Sequence, residues 1–378
     1  MRLYLYNIGG YYKMGLTLKW DITYKCNLFC EHCINGEFLN NKQSELDTKE
    51  ILQIIDEINN DIGIESISLL GGEPTIRKDL EQITDFLLEK DIKFGFNTNG
   101  LLLTSPKIRS ILSNPCLKNI IVSLEGPTAE INDTIRGKNV FDKIIKGVKY
   151  LKDIKDKECL SNLTISVNTV LTKMNYKYVK DIINLCVNLG VDEINFLQLI
   201  QEGNASDKDL QLNNEEHVNL IKVIAEEYID KKDILKINPR FLRPLAKDYC
   251  NEVLNLDFPD VFHGCGAGGT FAYINNVGEL YPCDRYRTIL RKNESAEDYS
   301  IKTKNFKTVW NKESFNIPYA LTEGDSLYKN YIPCNKCKYL QKECYPCPAG
   351  ASIEEKRVHK ECLYYMNELK VQGESNNG

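Results

Sequence analysis

Short apolar runs alternate with longer segments in which apolar residues recur every three or four positions, from residue 17 to about residue 230. Runs of the first kind are typical of buried parallel strands, and segments of the second kind are typical of amphipathic helices. The predicted strands are 17–24, 64–70, 92–98, 119–124, 163–170 and 193–199. The predicted helices are 48–60, 79–89, 106–113, 140–153, 177–188 and 214–230. This alternation predicts an α/β fold with a parallel sheet and right-handed crossovers. Six strands are too few for a closed eight-fold barrel, so we expect a partial (β/α)6 TIM-like barrel, open on one side.

Two helix starts are marked by capping residues. Asp47 precedes the first helix and Glu50 follows three residues later, which is a capping-box arrangement. Ser105 and Pro106 are the favoured N-cap and first-turn pair for the third helix. These signals predict where both helices begin.

The pattern changes after about residue 235. Gly, Pro, Cys and Tyr become frequent, and helical periodicity returns only at about 357–369. We expect a small domain over 236–369 that is stabilised by metal more than by apolar bulk. It follows a core barrel over 17–235 and an N-terminal edge segment over 1–16, and it precedes a polar tail, 370–378, that we expect to be disordered.

The charge and composition exclude some classes of partner. The net charge is -5 with a pI of about 5.7, whereas a nucleic-acid interface needs a basic face. No apolar run approaches the roughly 18 residues that span a bilayer, and the N-terminus lacks the layout of a signal peptide. We therefore expect a cytoplasmic protein with no nucleic-acid or membrane partner. In that compartment, 14 cysteines indicate metal sites rather than disulfides.

The segment "CNLFCEHC" places Cys26, Cys30 and Cys33 directly after the first predicted strand. In open parallel sheets, ligands bind beyond the carboxyl ends of the strands. A zinc or iron–sulfur site held by protein alone normally uses four ligands. Three cysteines at this edge therefore predict a metal site with one position left for another ligand.

Polar turns follow the next strands as well. The second strand ends in "GGEP" (71–74), the third in "NTNG" (97–100) and the fourth in "SLEGP" (123–127). Glycines let the backbone approach a ligand, and a carboxylate can meet a cation. The candidate residues are Gly71, Gly72, Glu73, Pro74, Ser123, Glu125, Arg136 and Asn168. Their order on successive strand ends predicts one ligand-binding edge.

With these motifs, residues 17 to about 235 resemble the radical S-adenosylmethionine (SAM) superfamily. The resemblance implies that Cys26, Cys30 and Cys33 hold a [4Fe–4S] cluster whose fourth iron binds the amino and carboxylate groups of SAM. His32 takes the place of the aromatic residue that often precedes the third cysteine.

The same resemblance implies how SAM is held. The "GGEP" turn receives its amino group, and Ser123 and Glu125 lie near its sugar or methionine part. Arg136 faces its carboxylate, and Asn168 is a further polar contact.

The later cysteines resemble the SPASM extension, which carries two auxiliary [4Fe–4S] clusters in radical SAM enzymes that modify peptides. The resemblance rests on "CGAGGTFAYINNVGELYPC" (265–283), "CNKCKYLQKECYPC" (334–347) and Cys362. It implies three clusters in all. The first auxiliary cluster is assigned Cys265, Cys283 and Cys347, and the second is assigned Cys334, Cys337, Cys344 and Cys362.

Two further residues near this block remain open. Cys250 is an alternative fourth ligand to the first auxiliary cluster. Asp284 matches the position of the proposed general base in anaerobic sulfatase-maturating enzymes, so it is a candidate catalytic residue.

The other interpretation of the cysteine block is a structural zinc ribbon.

The resemblance implies a reductive cleavage of SAM to a 5′-deoxyadenosyl radical, which removes a hydrogen atom from a substrate. The leading hypothesis is maturation of a ribosomally made peptide through a thioether bond between a cysteine sulfur and a carbon. The expected partners are a cysteine-containing peptide, a flavodoxin or ferredoxin-type electron donor, and a separate leader-recognition protein if the leader does not dock on the barrel.

Three alternatives stay open. The first is an anaerobic sulfatase-maturating enzyme that generates formylglycine. The second is a radical SAM dehydrogenase of a small alcohol or amine. The third is a non-catalytic metal-binding module, for which zinc without iron would be the evidence.

Overall fold

The computed structural model describes most of the chain, with gaps. The described residues are 15–41, 44–240, 242–258, 266–293, 295–315, 331–340, 342–344 and 360–375.

A single sheet forms the centre of the fold, and its strands within the described ranges number nine. They are β1 (Leu16–Thr23), β2 (Ile64–Gly71), β3 (Lys93–Thr98), β4 (Leu117–Ser123), β5 (Thr164–Leu171), β6 (Glu193–Gln198), β7 (Lys236–Pro239), β8 (Phe271–Ile274) and β9 (Leu280–Tyr281). Their spatial order is β7-β6-β5-β4-β3-β2-β1-β8-β9. Every pair of neighbours is parallel except β8 and β9. The predicted α/β fold with a mostly parallel sheet is confirmed.

Helices connect the strands and cover one face of the sheet. In the described part they are α1 (Thr48–Asp61), α2 (Leu80–Glu89), α3 (Pro106–Ile111), α4 (Ala129–Arg136), α5 (Phe141–Lys157), α6 (Val179–Leu189), α7 (Asn214–Lys231), α8 (Pro244–Asp248), α9 (Asp284–Asn293), α10 (Phe306–Trp310) and α11 (Lys360–Ser375). The capping box of Asp47 and Glu50 at α1 is present, and Ser105 caps α3. No helix of the described chain is long and apolar enough to cross a membrane.

Each of the six predicted strands is present, but the sheet extends further at both sides. β7 begins at Lys236, beyond the predicted end of the barrel, and pairs with β6. β8 and β9 come from the cysteine-rich segment, and β8 pairs with β1. These strands have only two to four residues, too few for a periodicity to mark them. The C-terminal segment therefore shares the sheet of the N-terminal one.

The C-terminal helix is longer than the pattern predicts. α11 runs to Ser375, so part of the tail expected to be disordered is helical. Its Tyr365 is buried, and its ring lies 5.1 Å from that of Tyr249. Packing against the core stabilises this helix, and only its last turns, which are polar, lie beyond the predicted end at residue 369.

The two faces of the sheet differ in polarity. Side chains such as Leu18, Trp20 and Phe94 are fully buried in the core between strands and helices. The opposite face carries a row of polar side chains in register. The row runs across four neighbouring strands: Ser123 on β4, Asn168 on β5, Asn195 on β6 and Asn238 on β7, each paired in register with the next. A parallel sheet with both faces in an apolar core would be hydrophobic on both faces, so this polar face is suited to a polar ligand.

Candidate active site

The cysteine loop follows β1 and is folded by its own residues. Asn40 closes it: the backbone N–H of Cys26 donates to the Asn40 side-chain oxygen at 3.1 Å, and the Asn40 amide donates back to the Cys26 carbonyl at 3.1 Å. The Cys33 N–H donates to the Cys30 carbonyl at 3.2 Å. The three cysteines are half-buried and stand on one turn at the carboxyl end of β1.

The segment after β6 holds this loop from the other side. Asn204 donates from its side chain to the Cys30 carbonyl at 2.9 Å and from its backbone to the Cys33 carbonyl at 3.0 Å. Gly203 has a φ of +59°, and a Cβ there would lie 2.4 Å from the Cys33 carbonyl oxygen. Only glycine fits that contact without displacing the loop. The sequence pattern gave no sign of this support, because the two segments are far apart along the chain.

The "GGEP" turn lies against the start of the cysteine loop. The Gly72 N–H donates to the Thr23 carbonyl at 2.8 Å, and the Glu73 N–H donates to the Lys25 carbonyl at 2.8 Å. A Cβ at Gly71 would lie 2.0 Å from the Thr23 carbonyl oxygen. The glycines therefore let the turn pack directly on the backbone of β1.

The Glu73 carboxylate is fully buried and already has several partners. It accepts hydrogen bonds from the hydroxyl and N–H of Thr75, at 2.5 and 3.0 Å, from the Thr98 hydroxyl at 2.9 Å and from the Asn99 N–H at 2.6 Å. Burial raises the pKa of Glu73, and these hydrogen bonds oppose the increase. The side chain thus fastens the turn to the end of β3, so a ligand here would chiefly meet the backbone of the turn.

Glu125 and Arg136 form a buried pair beside Cys30. The Arg136 guanidinium donates to Glu125 at 3.1 Å, and the His32 ring nitrogen Nε2 lies 3.4 Å from the same carboxylate oxygen. Burial acts to raise the pKa of Glu125, but His32 and Arg136 outweigh it and hold that pKa below its usual range. The sequence suggested no role for His32 beyond filling the position before Cys33.

Two buried nitrogen atoms in this cluster lack a hydrogen-bond partner among the described residues. They are Nε of Arg136 and Nδ1 of His32. The Arg136 carbonyl lies 3.9 Å from the Cys30 sulfur. Buried N–H groups without partners are costly in a native protein, so these atoms indicate that a bound group completes the site.

Ser123 and Asn168 lie at the neighbouring strand ends. They face each other across β4 and β5, and both are half-buried. Within the described part of the chain, their side chains make no hydrogen bond, so both are available to a ligand. The structure therefore brings every predicted SAM-contact residue to one edge of the sheet.

The three thiols fit an iron–sulfur cluster by their chemistry. Burial raises the pKa of Cys26, Cys30 and Cys33, that of Cys33 to about 12. Thiolates in such a setting need a compensating cation. Among the described residues, no three or more His, Cys, Asp or Glu side chains converge on one point as the ligands of a single metal ion do. The thiolates of a four-iron cluster each bind a different iron, so they need not converge on one point.

A second set of cysteines lines one cavity in the C-terminal segment. Its cysteines are Cys334, Cys337, Cys344 and Cys362. They come from two segments of chain, and the rest of the lining includes Pro244, Leu245 and Leu340. Burial raises the pKa of Cys344 to about 11. The four residues assigned to the second auxiliary cluster thus line one cavity, and four thiols are a suitable donor set for it.

The first auxiliary cluster is described only in part. Cys283 packs against a small buried cluster that contains Ala267, Tyr331 and Cys334, so the two sets of cysteines are neighbours. Cys265 and Cys347 lie outside the described residues. Cys250 lies in the main apolar core, where burial alone raises its pKa to about 12, and it is not part of the four-cysteine cavity.

Asp284 is the first residue of α9 and follows Cys283. Its carboxylate lies 3.3 Å from the Lys19 ammonium on β1, and the two side chains are 38% and 40% exposed. Desolvation acts to raise the pKa of Asp284, but Lys19 outweighs it and holds that pKa below its usual range. Asp284 is therefore an ionised carboxylate that faces the barrel.

Arg287, one turn further along α9, joins this helix to the cysteine loop. Its buried guanidinium donates to the Tyr24 hydroxyl, to the Tyr273 hydroxyl at 3.1 Å and to the Asn35 side chain at 3.3 Å. It also lies over the Phe38 ring at 4.4 Å. No sequence motif identified Arg287, because its partners become neighbours only when β8 pairs with β1.

Comparison with known families agrees with this geometry. Residues 20–192 match the radical SAM superfamily. The chain contains a radical SAM domain. This domain is the one that the cysteine triplet and the turns indicate, and it implies a [4Fe–4S] cluster and SAM.

Several curated relatives match beyond this radical SAM domain. The AdoMet-dependent heme synthase of Methanosarcina barkeri is 26% identical over 342 residues, which cover 88% of this chain and 91% of that protein. The mycofactocin maturase MftC of Mycobacterium tuberculosis is 27% identical over 272 residues, which cover 71% of this chain and 64% of MftC. The first of these relatives is matched over nearly its whole length, and the second over less than two thirds.

Solved structures share the fold of this radical SAM protein. Streptococcus suis SuiB bound to S-adenosylmethionine has a TM-score of 0.70 at 18% identity, over 93% of this chain and 77% of SuiB. The enzyme anSMEcpe with bound AdoMet and a peptide has a TM-score of 0.65 at 16% identity, over 95% of this chain and 99% of that one. At these identities the likeness shows the fold.

Proposed function

We propose that this radical SAM enzyme matures a ribosomally made peptide, and that it joins a cysteine sulfur of the peptide to a carbon atom. The observation that carries the proposal is the second set of thiols. Cys334, Cys337, Cys344 and Cys362 enclose one cavity next to the cluster of side chains around Cys283. Closure of a thioether removes two hydrogens, so the enzyme needs an acceptor for the surplus electron, and auxiliary clusters are suitable acceptors.

The residues divide between three roles. Cys26, Cys30 and Cys33 would hold the catalytic cluster, which together with SAM supplies a radical that removes a hydrogen atom from the substrate. The "GGEP" turn, Ser123 and Asn168 would orient SAM at the carboxyl edge of the sheet. Asp284, kept ionised by Lys19, would take a proton from the substrate.

The comparisons support a peptide as substrate. MftC is a maturase, a SuiB structure contains the precursor peptide SuiA, and the anSMEcpe structure contains a peptide. The polar row from Ser123 to Asn238 agrees with a substrate rich in amide groups. The remaining ligands, Cys265 and Cys347, belong to this proposal as the partners of Cys283.

Relatives from three organisms favour a second candidate. The match to AdoMet-dependent heme synthase extends over most of both chains. A haem-forming reaction would use the same radical SAM site and would not need a peptide. Incubation with a peptide and with a haem precursor therefore separates the two.

The test begins with metal content. After anaerobic reconstitution, three four-iron clusters would give about twelve irons per chain. A variant with Cys26, Cys30 and Cys33 replaced by Ala is expected to keep about eight irons and to form no 5′-deoxyadenosine. Zinc without iron would support the metal-binding module instead.

The reaction itself is tested with any short cysteine-containing peptide that is found to be encoded beside the gene for this chain. The expected product has lost two hydrogen atoms and its reactive thiol, as seen by mass spectrometry and thiol alkylation. The same peptide with Ser in place of Cys is the control and should stay unmodified. A peptide that returns unchanged while SAM is cleaved would refute peptide maturation of this kind.

A further inference from the structure

The polar face of the sheet ends in an arginine at the carboxyl end of β7. Arg240 follows β7, and its N–H donates to the Phe196 carbonyl at 3.0 Å, so it continues the pairing with β6. Its Nε donates to the Asn195 side-chain oxygen at 3.1 Å, and Asn238 donates to the same oxygen at 3.3 Å. The Arg240 side chain thus lies on the same face of the sheet as the polar row, and its guanidinium is held there through Nε.

The outer end of this guanidinium is available. Arg240 is exposed, and its Nη1 and Nη2 atoms make no hydrogen bond or ion pair with any residue in the described ranges. Two other cations of this face differ: Lys19 pairs with Asp284, and Lys236 pairs with Glu193 at 2.7 Å. A guanidinium fixed at Nε presents its two terminal nitrogens in parallel, which is the geometry that binds a carboxylate with two hydrogen bonds.

We propose that Arg240, positioned by Asn195, binds a carboxylate of the substrate at the mouth of the barrel. The inference rests on the proposed function in one respect, since it takes the substrate to be a peptide. The carboxylate belongs either to an acidic side chain or to the C-terminus. Glu193 lies on the neighbouring strand β6, so a singly charged carboxylate is better tolerated here than a doubly charged phosphate.

The position of this subsite sets a spacing along the peptide. Asn168, a predicted SAM contact on β5, is in register with Asn238 on β7, two strands away, and Arg240 lies two residues beyond Asn238. Adjacent strands lie about 4.8 Å apart and a strand rises about 3.3 Å per residue, so the backbone positions of Asn168 and Arg240 are separated by roughly 12 Å. At the same rise per residue, we expect the modified carbon about three to four residues from the carboxylate.

The test measures binding without SAM or turnover. Three fluorescein-labelled pentapeptides are titrated by fluorescence anisotropy: one with a central Glu and an amidated C-terminus, one with Gln in its place, and the Gln peptide with a free C-terminal carboxylate. The reconstituted enzyme should bind at least one carboxylate peptide about two- to fivefold more tightly than the amidated Gln peptide. The peptide that is preferred identifies the source of the carboxylate.

Three variants check the assignment. Arg240→Met should remove the preference for the carboxylate peptide. Asn195→Asp should also remove it, because the new carboxylate forms an ion pair with the Arg240 guanidinium. Lys236→Met is the matched control. Lys236 is a cation on β7 that already pairs with Glu193, so this variant should keep the preference for the carboxylate peptide.

Equal binding of all three peptides by the wild-type enzyme would overturn the proposal. A preference that survives in Arg240→Met, or that disappears equally in Lys236→Met, would overturn it too. Because no turnover is measured, failure of peptide maturation would appear separately, as an unmodified peptide in the reaction assay.

Discussion

Replacing Arg287 with Met should destabilise the whole protein, because this side chain connects α9 to the cysteine loop. The substitution removes donors to the Tyr24 and Tyr273 hydroxyls and to Asn35. It also removes the contact of the guanidinium with the Phe38 ring. Methionine keeps much of the length and apolar volume, so the change tests mainly the polar contacts.

The expected magnitude follows from these contacts. Three hydrogen bonds contribute about 1 kcal/mol each and a desolvated cation–π contact about 1–2 kcal/mol. Release of the guanidinium from burial offsets part of this, and the net loss is about 3 kcal/mol. For a chain of this length each kcal/mol lowers the Tm by about 2 °C, so we expect a decrease of about 6 °C.

The assay is an anaerobic thermal melt of the reconstituted protein, monitored by intrinsic fluorescence. Arg109→Met is the matched control, since Arg109 forms an exposed ion pair with Glu158 of the kind that contributes about 0–1 kcal/mol. It should lower the Tm by no more than about 2 °C. If Arg287→Met and Arg109→Met have the same Tm, the contacts of Arg287 between α9 and the cysteine loop do not stabilise the protein as expected.

Three further outcomes are expected. Glu73→Gln should destabilise the protein by about 1–3 kcal/mol, because an amide cannot accept all the hydrogen bonds that Thr75, Thr98 and Asn99 donate, and urea unfolding measures this. Asp284→Asn should leave SAM cleavage intact but slow product formation about 10²–10⁴-fold, and unchanged product formation would remove its proposed role. Gly203→Ala should lower the iron content of the catalytic cluster, because the new Cβ displaces the Cys33 carbonyl. Gly190→Ala is the control: Gly190 has a similar φ of +66°, but only the flexible Lys152 side chain is nearby, so the iron content should not change.

The barrel could be predicted because its signals are local. Alternating apolar runs, the cap at Asp47 and the turn "GGEP" each lie within a few residues, and the structure places them as expected. The cysteine triplet was recognisable for the same reason. Nothing beyond short-range pattern was needed for this part of the site.

The supporting contacts could not be predicted because they join distant segments. Asn204 meets Cys30 across 174 positions, and Arg287 meets Tyr24 across 263. The hydrogen bonds of Glu73 are another example, since its partners Thr98 and Asn99 lie at the end of the next strand. Such contacts depend on the register of the sheet, which a single sequence does not show.

The pairing of β8 with β1 also has a consequence for how the protein is made. β1 leaves the ribosome well before β8, its neighbour on one side, which is synthesised about two thirds of this chain's length later. Pairings between such distant segments form slowly. Before β8 pairs with it, β1 has an exposed edge that can pair with other chains. Tyr24 and Asn35 receive Arg287 only after α9 has been translated. The cysteine loop therefore reaches its final shape only after α9 has been made, so the cell must deliver iron and sulfide to a chain that already includes α9.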